Sequence, residues 1–122
     1  MQMQTLTSTQ ADDVRGALLA AEKRTGLRFA AYVGPAIGPR RHFSERLHAA
    51  LGEEADRAVL VFVDQRARGL EIVTGPRARE RVSDADCRLA AMSMAAVLGV
   101  GDLVGGIVAG VWLLADQVSR HG

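Results

Sequence analysis

The spacing of apolar and polar positions divides the chain into an amphipathic start, an extended middle and a helical end. Val14, Ala17, Leu18, Ala21 and Thr25 recur at helical spacing, and Thr9-Gln-Ala-Asp12 ahead of them fits a capping box. This predicts a first helix that starts after Thr9 and stops at Gly26, with residues 1–9 as a flexible lead-in. Arg28-Phe-Ala-Ala-Tyr-Val33 reads as a strand, ended by the turn-forming Gly34-Pro-Ala-Ile-Gly-Pro39. A second helix is predicted over His42–Leu51, with Phe43, Leu47, Ala50 and Leu51 inward and Gly52 closing it.

Ala58-Val-Leu-Val-Phe-Val63 does not alternate. An unbroken apolar run of this length fits a strand buried on both faces, hence a central one. The polar Asp64–Gly69 loop leads to Leu70-Glu-Ile-Val-Thr74, and the two strands most simply form a hairpin. Strand, helix and central strand before it predict a right-handed βαβ crossover. The fold class is therefore α/β, a single domain with a small mixed sheet covered by helices. Pro76 opens a short helix through Arg81, Ser83-Asp-Ala-Asp86 is a second capping box, and the helix that follows runs to Leu98. Gly99-Val-Gly101 breaks it, and a last helix is predicted from about Leu103 to Val118.

Asp102 is the one charge between Arg88 and Asp116. A membrane span needs roughly 20 consecutive apolar residues. Here Gly99, Gly101 and Asp102 interrupt the run, and Asp at mid-bilayer costs about 2.5–3.5 kcal/mol. Two buried helices avoid that cost, so no span is expected. Gly105, Gly106 and Gly110 are expected to let the last helix lie close against the sheet, or to pair it with its counterpart in a homodimer.

Composition narrows the function classes. The 122 residues are 48% hydrophobic and 24% charged, which is the balance of a globular chain. A net charge of +1 argues against nucleic acid as the main partner. Cys87 is the sole cysteine, so an internal disulfide and a cysteine-based zinc site are both excluded. The opening MQMQTLTSTQADD has neither a basic n-region nor an apolar h-region, which sets the expected location as cytoplasmic.

Asp56, Asp84, Asp86 and Asp102 all fall at the ends of predicted elements. If those ends converge, their oxygens suit a hard cation such as Ca2+ or Mg2+. The competing reading for Asp84, Asp86 and Asp102 is capping, because orphan N–H groups and the helix dipole favour Asp at helix starts, whereas Asp56, ahead of a strand, reads as a turn residue without a capping role. Arg40 and Arg41, and then Arg77, Arg79 and Arg81, follow strand-to-helix passages, where a phosphate-bearing ligand could be held. A solvated charged face is the alternative. No P-loop is present, and Gly99-x-Gly101 lacks the third glycine of a dinucleotide fingerprint, Val104 standing there instead. Ser44 and His48 are one turn apart, but no Gly-x-Ser-x-Gly elbow accompanies them, and His48 reads as a rim histidine. Cys87, flanked by Asp84 and Asp86, reads as a quiet buried thiol.

The order of motifs resembles the TPM domain, the family of the thylakoid acid phosphatase, and especially its small actinobacterial members. The resemblance rests on Arg24-Thr-Gly26 before a strand, the Asp56–Val63 strand, Leu70-Glu-Ile-Val-Thr-Gly75, Val82-Ser-Asp-Ala-Asp86 and Gly101-Asp-Leu-Val-Gly-Gly106. It implies a three-layer α/β/α sandwich and, in some members, divalent-metal binding or phosphatase activity. Carried over, Asp56, Asp84 and Asp102 match its acidic positions. The chain departs from the family in having Asp56-Arg57-Ala58 where Asp-Asn-Gly is usual, so that Arg57 could displace a cation. Two functional readings follow. One is a non-enzymatic binding or accessory module with an unknown protein partner, monomeric or homodimeric. The other is a metal-dependent phosphatase or phosphate-binding protein using Asp56, Asp84 and Asp102, with Arg77 or Arg81 on the phosphate.

Overall fold

The computed structural model describes residues 6–121. In chain order it contains α1 (Ser8–Thr25), β1 (Arg28–Val33), α2 (Arg40–Ala49), a 3-10 turn (Gly52–Arg57), β2 (Ala58–Asp64) and β3 (Gly69–Thr74). Then follow α3 (Pro76–Arg79), α4 (Asp84–Gly99) and α5 (Leu103–His121). The architecture is mixed α/β, dominated by helix, around one small sheet.

The first helix starts earlier than its periodicity suggests. Thr7, not Thr9, is the N-cap: its hydroxyl accepts from Gln10 N–H at 3.1 Å while Gln10 Oε1 accepts from Thr7 N–H at 2.9 Å. Starting there adds two helical residues, and Leu6 packs on the core. Ser8 and Thr9 are therefore helical rather than part of a lead-in, and residues 1–5 lie outside the described residues. Gly26 ends the helix at φ 76°, a backbone state that glycine enters without steric cost.

The sheet order is β1-β2-β3, with β1 and β2 parallel and β2 and β3 joined as an antiparallel hairpin. The central strand is buried along its whole length, as its unbroken apolar run requires. Phe29, Ala31 and Val33 lie beside Val59, Val61 and Val63 on one face and join α1, α4 and α5 in the main core. On the other face Tyr32 and Phe62 stack at 5.7 Å, and Phe43 of α2 meets both edge-on. Burying side chains of this size contributes about 1.5–3 kcal/mol each.

The α5 glycines serve a different neighbour from the one expected. A Cβ at Gly106 would sit 2.8 Å from Leu98 Cδ2, and one at Gly110 would sit 2.5 Å from Met94 Cγ. Both are holes for α4 side chains, so they bring α5 against α4 rather than against the sheet. By length and composition alone α5 is long and apolar enough to cross a membrane, a property that core helices of soluble proteins share. In this fold Ile107, Val111, Leu114, Ala115 and Val118 are wholly buried inside the domain.

Candidate functional site

The three candidate carboxylates do not assemble. Asp84 is the first residue of α4 and Asp102 lies just beyond its end, so they stand at opposite ends of a 16-residue helix. At about 1.5 Å per residue that is roughly 24 Å, far outside the reach of one cation. Among the described residues no group of three or more His, Cys, Asp or Glu is placed to hold a metal ion. Three of the four carboxylates at element ends, Asp56, Asp86 and Asp102, have local work instead. Asp102 Oδ1 accepts from Gly105 N–H at 2.8 Å and caps α5. Asp86 closes the capping box of α4 with Ser83. Asp56 was assigned no capping role from sequence, but its Oδ1 accepts from Arg77 N–H at 3.2 Å. It thereby caps α3, whose own N-cap is the side-chain-free Gly75. Arg57 does not enter any acidic cluster; it donates to Gly26 O and Glu54.

The arginines likewise fail to form an anion cradle. Arg79 donates to Thr74 O at 2.7 Å and Arg81 to Thr25 O at 2.6 Å, tying α3 to the end of β3 and its exit to the end of α1. Arg40 pairs with Glu71 at 3.0 Å, and Arg41 reaches Ile72 O at 2.9 Å. Of the two arginines considered for phosphate, only the Arg77 side chain makes no such bond among the described residues. His48 is not a rim residue. It is buried, and its Nε2 lies 3.1 Å from Ala58 O, fixing the start of β2. Ser44 donates to Arg40 O within α2, so no serine–histidine pair exists. Burial, reinforced by Asp84 and Asp86, pushes the Cys87 thiol up to about 11. It is a protonated thiol at neutral pH, as the sequence suggested.

What the sequence pattern did not disclose is the outer edge of β1. Gly34 N–H donates to Val63 O at 3.0 Å, which sets the ladder phase. Because successive residues of a strand point their backbone groups to opposite sides, those of Phe29, Ala31 and Val33 face away from β2. The Phe29 groups are covered: Glu22 Oε2 accepts its N–H at 2.9 Å, and Arg28 donates to its carbonyl at 3.1 Å. Glu22 also binds Arg28 at 2.5 Å, and this hydrogen bond, with Glu54 assisting, holds the guanidinium above its ordinary pKa. Beyond this clamp the edge opens into an apolar groove of about 410 Å³ between α1 and α2, lined by Leu18, Leu19, Ala30, Tyr32, Leu47 and Leu51. A second cleft of similar volume lies where the β2–β3 turn meets the α4–α5 turn. Its one buried carboxylate, Asp64, accepts from Ala36 and Ala67 N–H, both at 3.2 Å, and so fastens two loops.

With this geometry in view, the chain can be placed among known proteins. A domain of unknown function, DUF5130, matches residues 3–115. The chain belongs to this family. The match corrects the expected resemblance: the family is DUF5130, not the TPM domain, and the acidic positions carried over from the latter lose that support. No curated protein sequence matches the DUF5130 chain. Its fold is similar to the NMR structure of BA42 from the psychrophilic bacterium Bizionia argentinensis, with a TM-score of 0.82 at 15% identity, over 99% of this chain and 86% of that one. It is also similar to the N-terminal domain of a protein from P. gingivalis, with a TM-score of 0.81 at 20% identity, over 96% and 81% of the two chains. The N-terminal domain of cg2496 from Corynebacterium glutamicum matches with a TM-score of 0.74 at 14% identity, over 98% and 76%. At these identities the likeness concerns fold alone.

Proposed function

We propose that this DUF5130 domain is a protein-binding module that takes an extended segment of a partner protein alongside β1. The observation that carries the reading is the edge of β1 that pairs with no strand among the described residues, where Ala30, Ala31 and Tyr32 run along an apolar groove. Free edge N–H and C=O groups recruit a strand, and pockets on either side select its alternate side chains. A segment with apolar residues at every second position would set one side chain towards Leu18 and Leu19 of α1 and the next towards Leu47 and Leu51 of α2. The contacts of α2 with the aromatic face, and of α1, α4 and α5 with the other, support reading the scaffold as a three-layer α/β/α sandwich whose middle layer is exposed at this edge.

The reading is tested by titrating the isotope-labelled domain with peptides selected for binding from an extended-strand library. Amide shifts centred on Ala31 and Val33, lost in Leu19→Arg, are expected. Leu19 is 59% exposed, so this change leaves the core intact. Selected peptides that perturb other elements and spare β1 would overturn the reading.

A further inference from the structure

We propose that the outward face of α4 is a self-association surface, on which a second copy of this chain docks antiparallel about a two-fold axis passing near Met92 and Ser93. α4 is apolar on two opposite sides. Its inner side gives Ala90 and Met94 to the core. On its outer side Leu89 and Met92 are 58% and 70% exposed, and Val100, the C-cap residue that follows its last turn, is 82% exposed. With Ala85 and Ala96 between them, these residues fall within an arc of about 80° on a helix of 3.6 residues per turn. Half of the large apolar side chains exposed among the described residues thus share one stripe, on an element whose outer face would ordinarily be charged.

The stripe is complementary to itself in shape and in charge. With the axis between positions 92 and 93, Leu89 faces Ala96 of the second copy and Val100 faces its Ala85. Each large side chain then meets a small one, as an isologous interface requires. The last turn of α4 carries no basic residue, although it is the negative end of the helix dipole. Arg88 is exposed and makes no ion pair or hydrogen bond among the described residues. The same register places Arg88 opposite Val97 of the second copy, in a last turn that has no cation of its own. A single helix pair buries less than the roughly 1,200 Å² of a standard interface, so the dimer is weak and reversible.

Sedimentation equilibrium on the full chain tests this. Self-association is expected with a dissociation constant between about 1 μM and 1 mM. Met92→Glu and Arg88→Glu should each weaken it at least about ten-fold, while Ile37→Glu, exposed on the β1–α2 loop, leaves it unchanged. Because the axis passes beside residue 93, Ser93→Cys should yield a disulfide-linked dimer on mild oxidation. Circular dichroism checks that each variant is folded. A chain that stays monomeric up to about 1 mM overturns the proposal, as does a dimer that persists unweakened in folded Met92→Glu.

Discussion

Met94 of α4 occupies the space that a side chain at position 110 of α5 would need. A Cβ built on Gly110 would lie 2.5 Å from Met94 Cγ, and Met94 is fully buried. The contact is a knob in a hole, and it sets how closely the two longest apolar helices approach.

Gly110→Ala should therefore destabilise the domain by about 1–3 kcal/mol, the range for overpacking a filled core. Met94→Ala alone should cost about 2–5 kcal/mol through the cavity it leaves. The double variant should cost less than the sum, because each change relieves the other. Urea denaturation of the four proteins measures the coupling, and strict additivity would show that the helices adjust independently.

Asp102→Ala should cost about 0.5–2 kcal/mol and Asp102→Asn very little, since asparagine caps as well as aspartate. This outcome distinguishes capping of Gly105 N–H from metal ligation, where losing the charge matters most. Calcium and magnesium should leave the melting temperature of the wild type and of Asp84→Asn alike unchanged. A metal-induced rise abolished by either substitution would restore a cation site.

The regular elements were legible where one physical signal dominated. The unbroken apolar run from Ala58 to Val63 gave the central strand and its full burial, and Ser83 with Asp86 gave the capping box of α4. The proposed acidic site failed on geometry that the sequence already held. A helix predicted from residue 84 to 98 cannot bring Asp84 and Asp102 together, whatever the topology. Other features had no local signal. His48 bonds a carbonyl 10 positions away, Asp56 caps a helix 21 positions away, and Glu22 guards an edge amide across the α1–β1 turn. Such roles depend on which elements meet, and side-chain spacing along one element does not encode that. The β1 edge was invisible for the same reason: strand order decides which strand lacks a neighbour.

Cys87 predicts a pH dependence. Its thiol is held at about 11, against 9.0 for an unperturbed cysteine, by burial first and then by Asp84 and Asp86. The folded state thus disfavours the thiolate. Stability from this group is fully present below about pH 9 and is lost as pH rises towards 11, because the unfolded chain releases the proton first. Alkylation by iodoacetamide at pH 8 should be slow in the folded protein and should rise sharply in urea. Fast alkylation of the native state at pH 8 would contradict the burial argument.

Gly75 supplies a test of the junction that Asp56 caps. Its φ of −72° suits any residue, so the glycine is there for space and not for conformation. A Cβ would lie 2.6 Å from the backbone carbon of Asp56, and backbone yields less readily than a flexible side chain. Gly75→Ala should then push the 3-10 turn away from α3, break the Asp56–Arg77 bond and destabilise the domain by about 2 kcal/mol or more. Thermal denaturation measures the loss, and an unchanged midpoint would show that this junction is loose.

Glu22 decides how much of the β1 edge is available. Its carboxylate accepts the outward-facing Phe29 N–H and holds Arg28 against the Phe29 carbonyl. Glu22→Ala should leave both backbone groups uncovered, at a cost of about 1–3 kcal/mol for the lost charge-assisted bonds. It should also lengthen the free edge from two recruiting residues to three. Hydrogen exchange should therefore show Phe29 protected in the wild type but fast in Glu22→Ala, with Ala31 and Val33 fast in both. The longer edge should raise the tendency of the domain to associate through β1, read as increased light scattering on storage. Protection of Ala31 and Val33 in the wild-type monomer would mean that something in the chain already covers the edge, and the partner-strand reading would fall with it.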